Sequence, residues 1–183
     1  MVTASKGPED VRYLDDLVSR HPVETWRFLS EIIVPPMNTR GFAATQWLRG
    51  DMGFSGRNPG PMRHIPREEI WKWIAADPDK RAAYVASMAP KDFQPEAWPG
   101  SLVRELLCRF GDSDLVQSAV FSNFFTGGWS GPASSHYATE KDALVKIRAF
   151  ETDPNALRWL NDAIKSTDAN MERAKIEEEA RGY

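Results

Sequence analysis

Three short stretches constrain this chain more than anything else in it. "ADPDKR" at residues 76–81, "GDSDLV" at 111–116 and "TDPNALRW" at 152–159 are variants of one corner. Each sets an Asp or Ser just before a run with helical spacing. Its side-chain oxygen can accept from the free N–H groups of a new helix. Two of the three add Pro directly after it, whose fixed φ suits a first helical turn. The corners recur after about 36 and then about 40 residues, a period that suits stacked helical hairpins. One helical pair cannot bury its own apolar face, so neighbouring pairs must stack into a continuous core. "RHPVETW" at 20–26 is an earlier, looser copy.

The apolar spacing between corners agrees. Val11, Leu14, Leu17 and Val18 give one stripe, and Trp26, Leu29 and Ile33 the next, with Pro22 at its first turn and Pro35-Pro36 as its stop. Ile70 and Ile74 mark a further helix, and Arg81, Tyr84, Val85 and Met88 share a face of another. Leu102, Leu106 and Phe110 form a stripe flanked by Val103 and Leu107. The run from Leu115 to Phe125 is apolar almost all round, which predicts central burial. Tyr137, Leu144 and Ile147 mark the next helix, then Leu157, Leu160 and Ile164. Residues 168–183 read as a charged helix or tail. Residues 35–66 break the pattern as a Gly/Pro-rich insertion. The expected fold is all-α: one domain over 1–183, a HEAT- or armadillo-like α-solenoid of about four or five antiparallel hairpins.

Composition excludes several classes. The net charge of −3 argues against a general nucleic-acid binder, which would carry excess Lys and Arg. Cys108 is the single cysteine, so neither an internal disulfide nor a thiolate cluster can form. Its apolar neighbours make it a buried small hydrophobe. No run approaches the roughly 20 apolar residues of a membrane span. Met1–Asp10 lacks the apolar core of a secretory leader, so the expected compartment is the cytoplasm.

The corners with Asp-Pro and a following Arg or Trp resemble HEAT-like repeats. More specifically, "FFTGGWSGPASSHY…ALVKIRAFETDPNALRWLNDAI…MERAKIEEEARGY" resembles the C-terminal end of large bacterial helical-repeat proteins. The likeness is best over 100–183. Many such proteins carry an NTPase or other effector upstream, and some belong to anti-phage defence systems. The resemblance implies a helical array that binds a partner or senses a ligand. This chain has no GxxxxGK[ST] motif and supplies no NTPase of that type.

Residue chemistry points to the candidate sites. No catalytic residue, metal ligand set or cofactor motif is expected: no HExxH helix occurs, and His21, His64 and His136 are far apart in sequence. "GWSGP" has part of a nucleophile elbow around Ser130, but Pro132 stands where the second glycine belongs, and a helix precedes it. That stretch reads instead as a structural corner. Gly127 and Gly128 end a helix, Trp129 plugs the layer, Pro132 comes next, and Ser134 or Ser135 caps the new helix. The expected partner-binding residues are Arg57, Arg63, His64 and Arg67 in the insertion, whose guanidinium groups suit carboxylate or phosphate, with Trp73 as an aromatic contact. The expected function is a non-catalytic module that binds a protein partner or an upstream domain of a larger polypeptide. The alternative is a HEAT-like array that binds nucleic acid, either as a plain DNA binder or as a base-excision enzyme.

Overall fold

The computed structural model describes residues 15–33, 48–49, 60–126 and 130–182. Regular structure among them is helical, with no strand. The helices are α1 (Pro22–Ile33), α2 (Arg67–Ile74), α3 (Pro78–Met88), α4 (Leu102–Phe110), α5 (Asp114–Phe125), α6 (Ala133–Phe150) and α7 (Pro154–Arg181). Short 3₁₀ turns lie at Pro61–His64 and Trp98–Gly100. None of these helices is long and apolar enough to cross a membrane. The chain divides into two compact units, Met1–Pro90 and Lys91–Tyr183.

Each repeated corner joins two consecutive helices. Helices α2–α3, α4–α5 and α6–α7 are linked by 75–77, 111–113 and 151–153, three residues each time. Their chemistry differs. Asp153 Oδ1 accepts from the N–H groups of Asn155 and Ala156, at 3.0 Å each, and Pro154 opens α7. Asp77 and Ser113 hold the same place before α3 and α5 but make no side-chain cap.

In the first unit, α1 lies on α2. Trp26 is buried, and its indole N–H donates to the Glu69 carbonyl at 3.3 Å. Ile70, Ile74, Ala82, Val85, Ala86 and Met88 close the core of the α2–α3 pair. The 3₁₀ turn enters against residues 48–49. A Cβ on Gly60 would stand 2.1 Å from the Leu48 carbonyl oxygen, so only glycine fits there. Leu17, which the sequence places on an apolar stripe, is 46% exposed, whereas Val18 beside it is fully buried.

The second unit is built around aromatic rings. Phe93 stacks on Trp159 with centroids 5.4 Å apart, and Trp98 lies parallel to Trp159 at 6.2 Å. Phe124 meets Phe93 and Trp159 edge-on. Such pairs contribute about 0.5–1.5 kcal/mol each beyond the area they bury. Leu102, Val103, Leu106 and Leu107 of α4 complete the floor, while Phe110 and Cys108 are half-buried. Burial pushes the Cys108 thiol up to about 11, so it is protonated at neutral pH.

Two hairpins of this unit meet at Gly111. Its carbonyl accepts from the Gln117 side-chain amide at 2.9 Å and from the Arg158 guanidinium. Gln117 also reaches the Asn155 carbonyl at 3.3 Å. A Cβ on Gly111 would lie 2.6 Å from the Cβ of Asn155, so glycine lets the corner of α4–α5 touch the start of α7. Helices α6 and α7 run antiparallel, with Arg148 bonded to Asn161, Lys141 to Asp168 and Ser134 to Glu178.

Two expectations are corrected here. The Leu115–Phe125 run is not buried all round. Val116, Val120, Asn123 and Phe124 face the core, but Leu115 is 56% exposed, Ser118 and Ser122 are exposed, and Phe121 and Phe125 are half-buried. An all-round apolar composition carries no preferred face, so periodicity cannot show which side stays open. Ser134 does not cap its own helix either. Its N–H and hydroxyl both donate to the Glu178 carboxylate in the last turns of α7. The charged tail is thus a continuation of α7 that supplies the partner for the free N-terminal groups of α6.

Candidate functional site

The expected basic cluster is only partly visible. Arg57 lies outside the described residues. Arg63 and His64 sit side by side in the 3₁₀ turn, where the Arg63 Nε–H donates to His64 Nε2 at 3.2 Å. His64 Nε2 also lies 3.8 Å from Asp15 Oδ1. Arg63 is exposed, and Arg67 is half-buried at the first position of α2. The histidine is therefore held between a cation and a carboxylate.

Trp73 sits in a packed setting. Its ring meets Trp26 edge-on, with centroids 5.6 Å apart. The Arg81 guanidinium covers its face at 4.6 Å and donates to the Trp73 carbonyl at 2.8 Å. This cation–π contact with a hydrogen bond links α2 to α3. Both Trp71 and Trp73 are half-buried.

The corner before α6 lies partly outside the described residues, which leave out Gly127, Gly128 and Trp129. Among the described residues the left-handed backbone before α6 falls on Gly131, φ +95°. Ser130 is exposed, and Pro132 is the N-cap residue just before α6. One turn into that helix, His136 Nε2 lies 3.2 Å from Glu140 Oε1. Burial pushes the Glu140 carboxyl up to about 7, outweighing the pull of Lys91 in the other direction. Burial and Lys91 both lower the affinity of His136 for a proton. Both shifts favour the uncharged form of each group. No group of three or more His, Cys, Asp and Glu placed to hold a metal ion occurs among the described residues.

Sequence reasoning missed two features. The first is Glu151, which opens the α6–α7 corner with its side chain 1% exposed. It accepts from the Trp98 indole at 2.6 Å and from Arg104 at 2.7 and 3.0 Å. The backbone N–H groups of Thr152 and Asp153 complete the set. Burial alone would raise this carboxyl. These donors, Arg104 foremost, instead hold it down at about 2. With every lone pair used inside the fold, Glu151 is a structural hub with no capacity left for a ligand.

The second is a groove of about 570 Å³ in the second unit, between α5 and α7. Half-buried Phe121 gives it aromatic surface, and Trp159 lies beneath its floor. Ser118 and Ser122 line the α5 bank, and Asp162 and Lys165 the α7 bank. Trp159 is 1% exposed, and its indole N–H has no acceptor among the described residues. The signal was present in "LVQSAVFSNFFT", twelve residues from 115 to 126 without a charge. That signal shows low polarity, and only the fold shows that one side stays uncovered. Comparison with family models, curated proteins and solved structures gives no match.

Proposed function

We propose that the chain is a non-catalytic helical-repeat interaction module that binds a protein partner, its hairpins stacked in a HEAT- or armadillo-like solenoid. The stacking is supported by three corners of equal length and by the contact of the 111–113 corner with the first turns of α7. Partner binding is carried by one observation: α5 keeps an uncharged, aromatic-bearing face open beside α7. Apolar surface left uncovered and rimmed by polar groups marks interaction sites. The resemblance of residues 100–183 to the ends of bacterial helical-repeat proteins extends this reading to a sensor or scaffold region of a defence protein.

A photo-crosslinking side chain at exposed positions tests it in the host cell, with Ser118 reporting on the open face and Arg63 on the basic turn. A discrete protein adduct from either position is the expected result. Absence of any adduct from both sinks the reading. Salt-sensitive retention of duplex DNA in place of a protein adduct moves it to nucleic-acid binding.

A further inference from the structure

One ring nitrogen of His64 has two charged neighbours of opposite sign. The Arg63 Nε–H donates to His64 Nε2 at 3.2 Å, while Asp15 Oδ1 stands 3.8 Å from the same atom. A guanidinium keeps its protons in proteins, so Nε2 must be the acceptor. The imidazole in this arrangement is therefore neutral, with its proton on Nδ1. Asp15 Oδ1 is buried and takes no hydrogen bond among the described residues. A buried acceptor without a donor is costly, so this oxygen is poised to receive one.

The backbone under the pair is fixed. Met62 and Ile65, on either side of it, are buried, and Gly60 presses on residues 48–49 where no other residue fits. The other charged groups on the surrounding elements have partners or face water. Asp16 holds Arg20 at 2.9 Å, Arg27 of α1 approaches Glu69 of α2 at 3.7 Å, and Arg49 and Arg67 make contacts of their own. Glu68 is exposed.

We propose that the turn at Pro61–His64 is a proton-operated exchange, in which protonation of His64 Nε2 moves its bond from Arg63 to Asp15. The new N–H cannot accept from Arg63, and the imidazolium repels that guanidinium. A closing movement of about 1 Å brings it within hydrogen-bond distance of Asp15 Oδ1. A contact inside one turn is replaced by a tie to the helical segment at 15–20. Arg63, already exposed, is released to solvent and to any anionic group there. Imidazole is the side chain that ordinarily changes charge between about pH 5 and 8, which sets the window to search. The exchange does not depend on the interaction-module reading.

Nitrogen-15 NMR of the imidazole rings in the full chain reads the first half of the exchange. At pH 8 His64 should show the Nδ1–H tautomer, and at pH 5 both nitrogens should carry protons. Denaturant unfolding reads the second half. Asp15→Asn should lower the folded-to-unfolded ratio about two- to fivefold at pH 5, the range of a partly exposed ion pair, and leave it unchanged at pH 8. Arg63→Ala should act the other way, raising the ratio at pH 5 and lowering it at pH 8. In a His64→Gln background the pH dependence of the Asp15→Asn effect should vanish. An Nε2–H tautomer at pH 8 overturns the proposal. So does an Asp15→Asn effect that is equal at both pH values or that keeps its pH dependence without His64.

Discussion

The corners at 75–77 and 151–153 have the same length and join the same kind of helix pair, yet they are held in opposite ways. At the first, the chain leans on backbone. The N–H groups of Ala75, Ala76 and Asp77 donate back to carbonyls of α2, at 3.0, 3.4 and 3.1 Å. Arg81 then ties the pair across the ring of Trp73. At the second, the N–H groups of Thr152 and Asp153 turn to the Glu151 carboxylate, and the Asp153 side chain caps the first turn of α7. One corner is satisfied by its own helix. The other is fastened by a buried acid that also holds Trp98 and Arg104, 53 and 47 residues away in sequence. Equal spacing therefore fixes where a hairpin turns but says little about how firmly.

Glu151→Ala should break this contrast most severely. It strands the Trp98 indole and the Arg104 guanidinium together, and removing one partner of a buried pair costs about 3–5 kcal/mol. Denaturant unfolding of the variant should show that loss. The acid response of the unaltered protein gives a related readout. The folded carboxyl sits near 2, below its usual 4.5, so its contribution is present above pH 4.5 and disappears as pH falls toward 2. That contribution is about 3 kcal/mol. Glu151→Gln should flatten the stability profile across this window.

Gly111→Ala should cost about 2–3 kcal/mol, because a Cβ would stand 2.2 Å from the Leu107 carbonyl oxygen and 2.6 Å from the Cβ of Asn155. Glu140 acts with the opposite sign to Glu151. Its folded carboxyl is raised to about 7, so it erodes stability as pH climbs from 4.5 to 7. Glu140→Gln should raise stability at pH 8 by about 1–2 kcal/mol and remove that decline. The smallest effects separate the two corners directly. Asp153→Ala should cost about 1 kcal/mol through its lost cap. Asp77→Ala, where no cap exists, should stay within about 0.5 kcal/mol. Equal losses at both would erase the distinction.

What could be read in advance was what is local. Asp153 and Pro154 announce a helix start because the cap and the fixed φ need only neighbours in sequence. Ile70, Ile74, Leu144 and Ile147 are buried as their spacing requires. Glu151 could not be recognised as a hub, because its partners lie on other elements and no local pattern names them. The open side of α5 was hidden for the opposite reason: its composition fits burial on every side. His136 could be placed only by the fold, which sets it against Glu140 on the same helix face. Of the candidate site residues, Arg63 and His64 touch just before α2 and Arg67 opens that helix, while Trp73 is held between Trp26 and Arg81.

The bond from Ser134 to Glu178 spans 44 residues and sets an order of events. A chain leaving the ribosome makes α6 well before the residue that receives its free N–H groups. Until residue 178 has emerged, the first turn of α6 has only water to accept from it. Synthesis halted just short of that point would leave a hairpin closed at its corner and frayed at its open end.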